Sequence, residues 1–313
     1  MSLEQGIVPD DFKDAKVIPV FKNGKSEDLD NYRPISVLPI ISKILERAVQ
    51  EQLYVYLTTH QLLNPYQCGF RRFHSTETAA ISLTDTIRRN IDQKLLTGAV
   101  FVDLRKAFDT IDHHLLLAKL NSYGIGRNEL NWFNDYLTNR SQTVSFQNVL
   151  SPQSIISSGV PQGSIVGPLL FNLFINDLPS VASNCGVLMY ADDTVLYYAN
   201  KESDVNQRVL NENLEKLNTL LIENNLFLNI EKTEAVLFGT SADLSKVTNY
   251  QLVINGSPLK RVSEFRHLGI VPNENLSWNA HIDDIIVKVG KRLGLLRRLR
   301  RNLTMHAAET VYK

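Results

Sequence analysis

Two adjacent acids, Asp192 and Asp193, stand inside the otherwise apolar run Met189-Tyr190-Ala191-Asp192-Asp193-Thr194-Val195-Leu196-Tyr197 (MYADDTVLY). A buried carboxylate without a partner is costly, and a second one beside it makes matters worse. The pair therefore sits at a solvated turn or faces a strongly positive ligand, and Asp is common enough in turns that the dipeptide alone leaves both readings open. A third acid, Asp103, ends the continuous apolar run Ala99-Val100-Phe101-Val102. If the two acids cap a hairpin that pairs beside that run, three carboxylates meet at one edge of a sheet, an arrangement that is poor when empty and favourable around divalent metal. Oxygen donors with no His or Cys nearby suit Mg²⁺ rather than Zn²⁺. Two such ions ~3.5–4 Å apart activate a hydroxyl and stabilise both the attacking and the leaving oxygen of an in-line phosphoryl transfer. Positioning and charge neutralisation supply most of the rate of such a reaction.

The elements that must position these acids are legible in outline. Residues 15–22 read as a strand, Asn23-Gly24-Lys25 as turn chemistry, and 31–38 as the return of a loose hairpin carrying Lys22 and Arg33. Leu45, Val49, Leu53 and Leu57 recur every four residues, which predicts a helix over 42–57, and Ala80, Leu83 and Ile87 predict another over 77–90. The run ending at Asp103 reads as a strand buried on both faces. A helix is expected over 112–120, closed by Gly124, and Asp109 and Asp112 are read as its N-caps. The loop Ser158-Gly159-Val160-Pro161-Gln162-Gly163-Ser164 leads into an apolar helix near 165–177, with Pro168 tolerable only in its first turn. Strands over 187–191 and 194–198 make the acid-tipped hairpin. A helix over 203–224, strands over 226–229 and 235–238 around Lys232, and a final amphipathic helix over 282–303 complete the chain. This order of elements argues for an α+β fold with a mixed central sheet.

Composition sets the outer limits. With 313 residues, 43% of them hydrophobic and 21% charged, the chain has the make-up of a globular protein with a sizeable core. Lys+Arg and Asp+Glu balance at 33 each, so a nucleic-acid partner must be held by local basic patches rather than by overall charge. Cys68 and Cys185 form no metal-type cluster and suit a reducing, intracellular setting. The N-terminus lacks the layout of a signal peptide, and no apolar run approaches the ~20 residues of a membrane helix, so no membrane role is expected.

Seven segments in order resemble the reverse transcriptases of non-LTR (LINE-type) retrotransposons. They are FKDAKVIPVFK with NYRPISVLPIISKILERAV, then NPYQCGFRRFHSTETA, AVFVDLRKAFDTIDHHLLLAKL, SSGVPQGSIVGPLLFNLFINDLP, LMYADDTVLY, NLFLNIEKTEAVLFG and FRHLGIV. Each is weak to moderate alone; together they span about residues 12–271. The resemblance implies an α+β right-hand polymerase fold with fingers, palm and a truncated thumb. The expected division is fingers over 1–95, palm over 96–120, a fingers return over 121–156, palm again over 157–271 and the start of a thumb over 272–313.

The same resemblance implies RNA-directed DNA synthesis, a nucleotidyl transfer that adds dNTPs to a DNA or RNA primer 3′-hydroxyl on an RNA template. The cofactor would be two Mg²⁺ ions, with Mn²⁺ as a substitute. Asp103, Asp192 and Asp193 would hold the metals together with the Leu104 carbonyl. Phe108 would lie under the incoming sugar and exclude a 2′-hydroxyl, and Lys22 and Arg33 would hold the triphosphate, for which Arg is suited by its paired donors. Gln162 and Gly163 would line the nucleotide and template pocket. Lys232 would be the general acid for pyrophosphate, and His267, Leu268 and Gly269 the turn gripping the primer end. Lys291, Arg292, Arg297, Arg298, Arg300 and Arg301 would meet the nucleic-acid backbone. An active retroelement polymerase of this kind would work in the nucleus. The family often has Ser where Arg105 precedes Lys106, and its endonuclease and full thumb have no counterpart in these residues.

Plainer readings stand beside these. Isolated Lys22, Arg33 and Lys232 would be solvated charges, Phe108 would be core, and the terminal basic helix a solvated face over a Leu stripe. His113 and His114 suit a helix start better than a metal, since no further ligand accompanies them at the right spacing. At the level of the whole chain, the rival readings are a silent retroelement remnant that binds nucleic acid without polymerising, and a related polymerase such as an intron-encoded maturase or an RNA-dependent RNA polymerase.

Overall fold

A computed structural model of the chain describes residues 2–22, 24–300 and 303–312. Two sheets organise it. In the first, Asp14–Phe21 pairs antiparallel with Tyr32–Val37 and parallel with Arg140–Phe146, which also pairs with Ser154–Ile156. The second has five strands in the order Lys260–Arg261, Glu234–Phe238, Leu96–Val102, Asp193–Asn200, Gly186–Tyr190. Leu96–Val102 lies at its centre and all seven of its residues are buried, as a continuous apolar run requires of a strand covered on both faces.

Helices cover both sides. Ile40–Thr59 buries Val49, Leu53 and Leu57 on one stripe, together with the polar Ser42 and Glu46. Thr76–Asp92 starts at a capping box, in which Ser75 and Thr78 each satisfy the other's backbone N–H. Gly167–Phe174 is buried almost all round, with Pro168 in its first turn where the missing N–H costs nothing. Ser203–Glu223 turns Leu210, Leu214, Leu217 and Leu221 inward.

The structure departs from the sequence reading at several places. The tip of the acid hairpin is Ala191-Asp192; Asp193 already belongs to the strand Asp193–Asn200 and pairs with Tyr190. Residues 226–229 do not form a strand, only a single bridge between Leu228 and Leu104. The terminal helix runs Asn279–Leu299 rather than to residue 303, buries none of its residues, and is followed by a second helix, Met305–Tyr312. Asp112 alone caps the helix His113–Ser122, accepting the Leu115 N–H at 3.0 Å, whereas Asp109 bonds elsewhere. Arg127–Leu137, a helix, and Arg140–Phe146, a strand, fill the stretch 121–156. Asn23 and Arg301 lie outside the described residues. No helix among the described residues is long and apolar enough to cross a membrane.

Candidate active site

Strand register brings the acids together. Leu96–Val102 and Asp193–Asn200 pair antiparallel with Val102 opposite Thr194, so the next step along both strands sets Asp103 opposite Asp193. Asp192 sits one residue away at the hairpin tip. The electrostatics report the same closeness. Burial pushes the Asp193 carboxyl up to about 6, with Asp192 and then Asp103 adding repulsion. Burial also raises Asp192, as does Asp103, while Arg33 and Lys22 oppose the shift. The two basic side chains of the first hairpin therefore act on the acid tip of the second sheet.

Asp103 is held from behind. Its Oδ2 accepts Asn229 Nδ2 at 2.9 Å, its carbonyl accepts the Asn229 N–H at 2.8 Å, and its own N–H donates to Thr233 Oγ1 at 3.2 Å. Neither Asn229 nor Thr233 is named by the sequence reading, although both lie in its LNIEKT segment. Among the described residues no three acidic, His or Cys side chains are arranged to hold one ion as they stand. The donor chemistry nevertheless fits a hard divalent cation: the carboxylates come from two segments, carry only oxygen, and repel one another without a counter-charge.

Beside the acids lies a pair of interlocked loops. Val160 N–H donates to the Phe108 carbonyl at 2.9 Å, Gly159 N–H to Ile111 at 2.8 Å, and Gln162 Nε2 to Asp109 Oδ1 at 2.9 Å. Buried His113 shares a 2.7 Å hydrogen bond with the Gly159 carbonyl, a structural role at the helix start. Phe108 is half-buried, stacked on Phe171 with ring centroids 4.3 Å apart and edge-on to Phe70. The close approach that Gly163 permits is internal: a Cβ there would stand 2.2 Å from the Ser36 carbonyl oxygen. Ser36 N–H in turn donates to the Gln162 carbonyl at 2.8 Å, tying this loop to the first sheet. Buried Glu46 completes the brace, accepting the Ile165 N–H at 2.6 Å and the Tyr136 hydroxyl at 3.2 Å.

The remaining expected residues fall around this centre. Leu104 is buried and bridges to Leu228. Lys232 is exposed; the hydrogen bond and charge of Lys106 lower the Asp30 carboxyl, and the charge of Lys232 adds a smaller push in the same direction. His267 and Ile270 exchange backbone hydrogen bonds at 2.9 and 3.0 Å around a tight turn, with Leu268 at φ 47° and Gly269 at φ 89°. Two successive positive φ values suit the twist of a two-residue hairpin. His267 itself is buried against Phe101. Lys291, Arg292, Arg297, Arg298 and Arg300 are all exposed on the Asn279–Leu299 helix and just beyond it.

A mixed sheet flanked by helices, its buried central strand paired to an acid-tipped hairpin, has the architecture of an α+β right-hand polymerase fold. The chain belongs to the reverse transcriptase (RNA-dependent DNA polymerase) family, whose model matches residues 20–271. The RNA-directed DNA polymerase of the mobile element jockey in Drosophila funebris is 28% identical over 90% of this chain and 31% of its own length. A probable RNA-directed DNA polymerase from transposon BS of Drosophila melanogaster is 32% identical over 97% of this chain and 34% of its own length. The chain thus spans about a third of these relatives, and the resemblance to LINE-type retrotransposon reverse transcriptases is borne out. Telomerase from Candida tropicalis, truncated from its C-terminal domain, superposes with a TM-score of 0.57 at 14% identity, covering 87% of this chain and 55% of that one. That likeness confirms the α+β right-hand fold.

Proposed function

We propose that this chain is the polymerising part of a retrotransposon reverse transcriptase, adding dNTPs to a primer 3′-hydroxyl on an RNA template. The observation that carries the reading is the register that sets Asp103 opposite Asp193, with Asp192 at the adjoining tip under the influence of Lys22 and Arg33. Reverse transcriptases generally use divalent metals, and here Asp103, Asp192 and Asp193, with the Leu104 carbonyl, are the groups to hold them. Bound Mg²⁺ supplies charge neutralisation and a more acidic hydroxyl.

The chain's own residues do the positioning. Lys22 and Arg33 neutralise the triphosphate from the first hairpin. Phe108, backed by Phe171, presents a fixed ring edge to the sugar, and Gln162 reaches the same pocket from the neighbouring loop. Lys232, exposed in the segment whose Asn229 holds Asp103, would give a proton to departing pyrophosphate. The turn at His267, Leu268 and Gly269 supports the primer end, and the exposed basic helix follows the duplex backbone. In this reading residues 1–95 and 121–156 are fingers, 96–120 and 157–271 palm, and 272–313 the root of a thumb.

The test is extension of a primed RNA template by the purified chain with dNTPs and Mg²⁺. Synthesis of cDNA that Asp192→Ala abolishes is the expected result. An Asp192→Ala chain as active as the parent would show that the site lies elsewhere.

A further inference from the structure

The hairpin tip that carries Asp192 is built on an unfavourable backbone. Ala191, the residue before it, has φ 56°, a left-handed conformation that a side chain with a Cβ rarely adopts. Such a residue persists only where its surroundings over-determine it. The surroundings come from a distant segment. Tyr66 to Gly69 runs along the outer edge of the strand Gly186–Tyr190: Met189 N–H donates to the Tyr66 carbonyl at 2.9 Å, and Cys68 N–H to the Met189 carbonyl at 2.7 Å. Between them Gln67, only 3% exposed, turns its amide onto Ala191. Gln67 Oε1 accepts the Ala191 N–H at 2.9 Å, and Nε2 donates to the Ala191 carbonyl at 3.3 Å. One side chain thus satisfies both backbone groups of the strained residue. Gly69 N–H donates to the same Oε1 at 2.7 Å and fixes the amide's orientation. Gly69 must itself lack a side chain, since a Cβ there would stand 2.1 Å from Ala191 N. Its carbonyl is anchored by Asn172 Nδ2 at 2.8 Å.

We propose that Gln67 is a positioning residue: by clamping Ala191 in its left-handed conformation it sets where the Asp192 carboxylate stands. The inference rests on the reading of Asp192 as catalytic. Gln67 touches neither substrate nor metal, and acts only through the turn. Removing the amide leaves a buried N–H and C=O without partners and lets Ala191 relax toward negative φ, which swings the next residue away.

The experiment compares the parent chain, Gln67→Leu, Ala191→Gly and the double variant in single-nucleotide extension on a primed RNA template, with melting temperatures alongside. Gln67→Leu should lower kcat about a hundred-fold, the scale of an ångström-sized misplacement, with KM for the nucleotide little changed. Glycine accepts positive φ without a Cβ penalty, so Ala191→Gly in the Gln67→Leu background should restore most of the loss even if the melting temperature stays low. A Gln67→Leu chain with parental kcat, or a double variant no better than Gln67→Leu, overturns the proposal. Backbone amide exchange in the parent chain decides the matter where Gln67→Leu does not fold. The Ala191 N–H should exchange as slowly as those of the flanking strands, and exchange at the rate of an open turn removes the clamp. A parent chain that does not polymerise but protects Ala191 would sink the polymerase reading and leave the clamp standing.

Discussion

Asn229 holds Asp103 at two points, by a side-chain hydrogen bond to Oδ2 of 2.9 Å and a backbone bond to the carbonyl of 2.8 Å. The first fixes the plane of the carboxylate. Asn229→Ala should therefore lower kcat about ten-fold or more, since a loosened carboxylate samples unproductive rotamers. The accompanying loss of stability should be about 1 kcal/mol, the net worth of one such bond. Steady-state extension kinetics together with thermal melts separate the two effects. A kcat that falls only in proportion to the folded fraction would refute the positioning role.

Gln162 is held by Asp109, and the proposed role in nucleotide binding depends on that hold. Its Nε2 donates to Asp109 Oδ1 at 2.9 Å, and burial raises the Asp109 carboxyl above its ordinary range. Asp109→Leu removes the acceptor and frees the glutamine, so KM for dNTP should rise about five- to ten-fold with a smaller change in kcat. Asp109→Asn keeps an acceptor oxygen and should stay within about two-fold of the parent. Equal damage from both substitutions would mean that the charge of Asp109, not its hold on Gln162, matters.

Gly163 has φ 139° and faces the Ser36 carbonyl so closely that a Cβ would meet it at 2.2 Å. Both the conformation and the contact forbid a side chain, and the obstacle is backbone that cannot rotate aside. Gly163→Ala should cost at least about 2 kcal/mol and separate the loop from the strand Tyr32–Val37, visible as a lowered melting temperature and loss of extension activity. A variant that melts with the parent would show that the loop has room to move.

Phe108 is wedged between Phe171, stacked at 4.3 Å, and Phe70, edge-on at 6.1 Å. A ring fixed on two sides is a rigid wall rather than a mobile side chain. Phe108→Ala should admit ribonucleotides, raising the ratio of rNTP to dNTP incorporation about ten-fold or more, as expected when a steric rejection is lifted. A parent chain that already accepts rNTPs as readily as dNTPs would remove the gate.

How much of this was legible in the sequence depends on the range over which each signal acts. The convergence of Asp103 with Asp192 and Asp193 could be anticipated because an apolar run and an alternating hairpin are local patterns, and pairing them is the simplest way to bury both. The helices expected over 42–57 and 77–90 were equally visible and run Ile40–Thr59 and Thr76–Asp92. What could not be read were partnerships between distant segments: Asn229 with Asp103, Gln67 with Ala191, Asp109 with Gln162. Each is a polar side chain whose role is set by backbone brought to it through the fold, and no periodicity marks it. Asp109 looked like an N-cap because the sequence placed it near a helix start, but Asp112 occupies the cap and leaves Asp109 free to bond across. The helix Arg127–Leu137 carries a local signal of its own, since Trp132, Phe133, Tyr136 and Leu137 recur on one buried face. The terminal helix kept its basic residues, but none of its apolar stripe is buried among the described residues.

His267 supplies a pH test that is independent of catalysis. It is buried against Phe101, its Nε2 finds no hydrogen-bond partner, and burial pushes its pKa down to about 4 from the ordinary 6.5. Between those values the unfolded imidazole takes up a proton that the folded one refuses, so this residue's contribution is complete above pH 6.5 and is lost as the pH falls toward 4. The full swing is about 3 kcal/mol at most, at 1.36 kcal/mol per pH unit. Asp193 works in the opposite sense. Its raised pKa of about 6 means the folded state binds its proton more readily, so its contribution weakens as the pH rises through the same range. Whole-protein stability against pH therefore mixes the two, and the difference between the parent and His267→Phe isolates the histidine. Denaturant melts between pH 7 and pH 4.5 should show the parent losing stability relative to His267→Phe as the pH falls. A constant difference across that range would mean that the folded imidazole takes up its proton as readily as the unfolded one, so that burial does not lower its pKa.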